Sequence, residues 1–179
     1  MLAIPMLGLA YLTANITLEK LNIVRQMNIL QEFSEITIKS SLLIHELQKE
    51  RGLSAGLISS NRDKLYPILQ QQRIKTDIAR QELSKFLTNS TTTNISSKFQ
   101  TIFKLLKTIE TNRHLIDKFE ISLKQQLHYY SGMIAILLNN INHIPQSIDI
   151  NKLNNKMEAY SYLLQAKEMA GIERATLYP

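Results

Sequence analysis

No cysteine occurs among the 179 residues, which excludes disulfides and thiolate metal sites. Glycine and proline number only five and four, too few for the turn chemistry of a sheet-rich fold. No stretch alternates apolar and polar residues clearly enough to be a strand. The formal charge is +6, yet Lys and Arg are dispersed among Glu and Asp, and no basic run with aromatics marks a nucleic-acid surface. Catalytic motifs are missing as well. His45-Glu46-Leu47-Gln48-Lys49 begins like a zinc-protease helix, but Lys49 stands where a second histidine is required. His114, His128 and His143 are too far apart to share one helical metal site, and no Gly-rich phosphate loop follows a strand. No catalytic residue, metal or cofactor is therefore expected.

A long hydrophobic run is also lacking. Met1 to Ile16 is almost wholly apolar, but it falls short of the roughly 20 residues that span a bilayer. It has no basic flank of the kind that opens a signal peptide. Residues 1–16 are expected to be the end of a transmembrane helix, with 17–179 a helical domain outside the cytoplasm. The competing reading is a buried N-terminal helix segment.

What is present is helical periodicity. A first long helix is expected from about 17 to 59, ended by Ser59-Ser60-Asn61-Arg62-Asp63. A second covers about 63–88, with Pro67 in its first turn, where a missing N–H is harmless. Asn89 to Asn94 is a polar loop. Phe99, Ile102, Phe103, Leu106 and Ile109 form the stripe of a third helix, with a break near 117–122. Leu127, Tyr130, Ile134, Leu137, Leu138 and Ile141 form that of a fourth. After a loop over 143–149, where Ser147 or Asp149 caps the next helix, a last helix runs from about 151 past Arg174. The fold class is all-α: an antiparallel bundle of long helices, four-helix-bundle-like.

Two arginines interrupt this pattern. Ile44, Leu47 and Ile58 lie seven before, four before and seven after Arg51, which puts that cation on an apolar stripe. Tyr160, Leu163, Ala170, Gly171 and Tyr178 share a face with Arg174 in the same way. A buried cation must find an anion or a carboxylate. Small residues flank both: Gly52, Ser54, Ala55 and Gly56 around the first, Ala166, Ala170, Gly171 and Ala175 around the second. Glycine within a helix costs about 1 kcal/mol relative to alanine, and close approach of two helices around a small ligand would account for it. Arginine suits a small oxyanion because its planar fork binds two oxygens at once, and Lys167 would add positive charge. The alternative is structural: Glu46, Glu50, Glu168 and Glu173 are available as salt-bridge partners, and the glycines then serve packing or a helix end. Arg73 and Asp77, four apart, suit a helical surface pair. Tyr129, Tyr130 and Tyr160 suit either anion donation or the edge of a core.

The segments His-Glu-Leu-Gln-Lys-Glu-Arg-Gly-Leu-Ser-Ala-Gly (45–56) and Ala-Lys-Glu-Met-Ala-Gly-Ile-Glu-Arg-Ala (166–175) resemble the two signatures of the NIT domain, the nitrate- and nitrite-sensing domain of bacterial signalling proteins. Gln72-Arg73 with Thr76-Asp77 resembles its second-helix motif, and Tyr130-Ser131 and the run from Tyr160 to Leu164 fall where the family has similar residues. The likeness spans roughly 35–175 and is incomplete beyond the second signature. It implies an all-helical sensor of the kind found in chemoreceptors and sensor kinases, non-enzymatic and with an arginine of each signature important for the response. Those positions are Arg51 and Arg174. Gly52, Ser54, Ala55, Lys167, Ala170 and Gly171 are the supporting candidates. The expectation is a nitrate- or nitrite-binding homodimer in the bacterial inner membrane, its helical domain periplasmic, with no nucleic-acid partner. The alternative is a dimerisation bundle whose arginines form internal salt bridges.

Overall fold

The computed structural model describes residues 3–59, 62–89, 102, 104–142 and 151–177, and among them helix is the only regular structure. Five helices are bounded: α1 (Ala3–Ser59), α2 (Arg62–Asn89), α3 (Ile109–Asp117), α4 (Leu123–Asn142) and α5 (Asn151–Leu177). Residues 104–107, just ahead of α3, are also helical. The expected loops at 90–94 and 143–149, with their caps Ser147 and Asp149, lie outside the described residues, as do Phe99 and Phe103. Pro67 stands sixth in α2 rather than in its first turn, so one intrahelical bond is forgone near the helix start. The chain divides into two units, 1–35 and 36–179.

The first unit is a helical run whose described side chains are almost all exposed, including Ile4, Leu7, Leu9, Tyr11, Leu12 and Ile16. No helix among the described residues is long and apolar enough to cross a membrane.

The second unit carries the core. Along α1 the buried face recurs at Ile36, Ser40, Leu43, Leu47, Glu50 and Ser54, steps of three and four that keep one side of the helix inward. Leu69, Leu83 and Leu87 meet it from α2, Ile109 and Ile116 from α3, and Tyr130, Ile134, Leu137 and Ile141 from α4. Each fully buried Leu or Ile contributes about 1.5–3 kcal/mol. Up to Leu47 this face is mainly apolar, with Ser40 as its polar member, and after it Glu50, Arg51 and Ser54 are buried. That polar end holds the candidate site.

Cross-helix pairs fix the directions. Lys39 with Glu82 and Glu46 with Gln72 make α2 antiparallel to α1. Arg80 with Glu110, Arg113 with Asp77 and Arg73 with Asp117 make α3 antiparallel to α2. Between α3 and α4 the chain turns at Phe119, whose φ of 56° is left-handed. Phe119 N–H bonds to the Ile116 carbonyl and Glu120 N–H to that of Leu115, the paired bonds of a Schellman ending in which glycine is the usual residue. The fifth helix keeps the up-and-down alternation. His45 meets Lys167 and Arg51 meets Gly171, so α5 runs parallel to α1.

Candidate anion site

A cleft of about 520 Å³ opens between α1 and α5. From α1 it is lined by His45, Gln48, Lys49, Arg51, Gly52, Ala55 and Gly56, and from α5 by Lys167, Ala170, Gly171 and Arg174. Both arginines singled out in the sequence therefore reach one cleft, with Gly52, Ala55, Lys167, Ala170 and Gly171 beside them. Ser54 does not line it; that side chain is fully buried and its hydroxyl has no hydrogen-bond partner. Four lining residues are Lys or Arg and none is acidic.

The two arginines differ in setting. Arg51 is 2 % exposed, as its stripe predicted. Its Nη1 donates to Ser131 Oγ at 2.8 Å and to Glu168 Oε1, and its Nη2 donates to Glu168 Oε2 at 3.4 Å. Gln48 Nε2 donates to the same Glu168 Oε2 at 2.7 Å. Arg174 is exposed, which corrects the expectation of a core-facing cation. The buried side of α5 is Ser161, Leu164 and Glu168. Tyr160, Leu163, Ala170 and Arg174 are exposed, the last two where α5 borders the cleft.

The small residues have distinct reasons. A Cβ on Gly171 would stand 3.0 Å from Arg51 Nη2, and one on Gly56 3.0 Å from Leu65 Cδ1. At Gly52 a Cβ would meet nothing within 4 Å; it faces the cleft rather than a neighbour. On the cleft wall, Lys167 Nζ lies 3.0 Å from His45 Nδ1, which accepts its hydrogen bond when the ring nitrogen is unprotonated. Burial, then the charges of Lys167 and Lys49, push the His45 pKa below its ordinary value against the opposing pull of Glu46. Lys49 in turn bonds Glu46 at 3.0 Å, and with the stronger bond from Gln72 this holds Glu46 below the usual carboxylate range despite partial burial.

Behind the cleft lies a buried charge network. Glu50, 0 % exposed, accepts two bonds from Arg113, Nε at 2.7 Å and Nη2 at 2.9 Å, and one from Tyr130 at 2.8 Å. Burial disfavours the Arg113 charge, but Glu50 and Asp77 more than offset this and raise its pKa. Burial, then the charge and acceptor of Glu50, push the Tyr130 phenol well up. Tyr130 is thus tied to the core network, Tyr129 bonds Thr108, and neither lines the cleft. Arg73 is buried and clasps Asp117 with two 2.8 Å bonds, while Asp77 goes to Arg113. The expected Arg73–Asp77 surface pair is replaced by cross-helix pairs. Arg113 went unnoticed in the sequence, although it sits between Ile109 and Ile116 on a helical stripe just as Arg51 does. The spacing of His45, Lys49, Gly52 and Gly56, steps of four, three and four, likewise marked one wall of the cleft. No group of three or more His, Asp or Glu suited to a metal occurs among the described residues.

The sequence profile of the nitrate and nitrite sensing family, NIT, matches residues 42–178. This chain belongs to the NIT family. Comparison with curated proteins gives no match. Among solved structures the NIT chain is similar to the structure of the NasR transcription antiterminator, with a TM-score of 0.78 at 23% identity. The likeness covers 84% of this chain and 42% of that one, so this NIT chain spans less than half the length of its structural neighbour. At that identity the fold is what the two share, and it is all-helical.

Proposed function

We propose that this NIT chain is a non-enzymatic sensor module that binds nitrate or nitrite between α1 and α5 at Arg51 and Arg174. The observation that carries the reading is that both arginines line one cleft together with Lys49, Lys167 and no carboxylate. An anion there attracts both helices, favours the arrangement in which they are close, and passes the shift along their ends. The same reading makes the chain part of a homodimeric membrane signalling protein, with residues 1–16 associated with the bilayer and the helical domain on its periplasmic side. The exposed apolar side chains of that segment support the membrane part.

The alternative, a dimerisation bundle with internally paired arginines, is favoured by the Arg51–Glu168 contact. The melting temperature with and without nitrate separates the two. Ligand that binds only the folded state raises it. Arg51→Lys and Arg174→Lys keep the charge but lose the fork, and each is expected to weaken nitrate binding by about 1–3 kcal/mol. An equal nitrate shift in all three proteins removes both arginines from the site. A loss of melting temperature without any nitrate effect favours the structural bundle.

A further inference from the structure

We propose that Glu168 is a built-in occupant of the anion site: its carboxylate holds the Arg51 fork, and an external planar oxyanion binds by taking its place. This rests on the reading of the cleft as an anion site. Arg51 is the one buried guanidinium lining the cleft, and its two terminal nitrogens both go to the two oxygens of Glu168. A carboxylate and a nitrate or nitrite ion present the same motif to a guanidinium, two oxygens in one plane. The occupant is itself held: Gln48 donates to its Oε2, and the Arg51 Nη1 that contacts it is oriented by Ser131 on α4. Gly171, one turn along α5, leaves just enough space for Arg51 Nη2, which a Cβ would approach to 3.0 Å. The fork thus faces the α5 wall at the residue that an incoming ion must displace.

A tethered carboxylate competes at high effective concentration, so the apparent affinity of the external ion is reduced by the fraction of time that the fork is free. Exchange also has a mechanical consequence. Glu168 ties the buried face of α5 to Arg51, so exchange loosens one link between α5 and α1 at this level while the ion in the cleft draws Lys167 and Arg174 inward. Chloride, a sphere, satisfies one arm of the fork and competes less well than nitrate.

Titration calorimetry of the whole chain with sodium nitrate and sodium chloride tests this. Glu168→Gln removes the competing charge and keeps the shape; it is expected to tighten nitrate binding by at least about tenfold, and chloride by less. Glu173→Gln, on the same helix, makes the same change in net charge and is expected to alter affinity by less than about threefold. Glu168→Asp keeps the charge but reaches less far, and is expected to tighten binding by about threefold even if the glutamine variant folds poorly. Nitrate binding by the wild type with unchanged or weaker binding by both Glu168 variants overturns the exchange and leaves the anion site standing. Equal tightening by Glu168→Gln and Glu173→Gln reduces the effect to net charge and also overturns it. Absence of nitrate binding in every protein overturns both the exchange and the site.

Discussion

Glu50 and Arg51 are neighbours in sequence and both buried, yet they serve different ends. Glu50 neutralises Arg113 inside the core, with Arg73 Nε only 4.0 Å away. Glu50→Gln leaves buried guanidinium groups short of their counter-charge, and breaking such a pair from one side costs about 3–5 kcal/mol. Chemical denaturation is expected to register a loss of that size; a loss below about 1 kcal/mol would mean that the network is solvated in solution. His45 carries a pH signature. Its pKa is depressed in the folded state, so between the ordinary value of about 6.5 and the lower folded value the unfolded chain binds more protons. Stability is then lost as the pH falls through that window, and His45→Gln should flatten the loss between pH 7 and 5. An anion in the cleft offsets the Lys167 and Lys49 charges, raises the His45 pKa and binds more tightly as the pH falls. A nitrate affinity independent of pH in the wild type would separate His45 from the cleft.

At the scale of the element, α1 changes character twice. Its described residues up to 32 are nearly all exposed, it is mainly apolar on one face from Ile36 to Leu47, and it is polar on that face from Glu50 to Ser54. Gly52 sits on this last part with nothing near its missing Cβ. Alanine there improves helix propensity and is expected to raise stability by about 0.5–1 kcal/mol. The added methyl projects into the cleft, so nitrate affinity should fall while the melting temperature rises. Both moving upward would place the bound ion away from Gly52. On α5 the reverse holds: Gly171→Ala crowds Arg51 Nη2 and has no free direction in which to improve packing.

For the whole molecule, the question is what the exposed apolar side chains of the first unit meet. Seven large ones among residues 4–16 are more than half exposed, more than a soluble surface normally gathers in one short segment. Deleting residues 1–16 is expected to move the chain from the membrane fraction to the soluble one while nitrate binding by residues 36–179 persists. Full solubility of the intact chain would remove the membrane part of the proposed function. The two signatures identified the family, the first helix end was readable from the turn residues of 59–63, and a break was expected near 117–122. The Glu50–Arg113–Tyr130 network was not read: the stripe from Ile109 to Ile116 marks Arg113 as inward-facing, but only the packing of the helices names Glu50 and Tyr130 as partners.

Sequence alone determined the helical class, the approximate helix limits and the burial of Arg51, since propensity and a 3.6-residue stripe act within one segment and require no partner. Tertiary structure decided which side of α5 faces inward, and so that Glu168 rather than Arg174 is buried. Two turns of Tyr160, Leu163, Ala170 and Gly171 look as suitable for packing as Ser161, Leu164 and Glu168 do, and only the neighbouring helices discriminate between them. Charge pairing followed from that placement: a carboxylate has many possible cations along a chain, and packing brings one of them within reach.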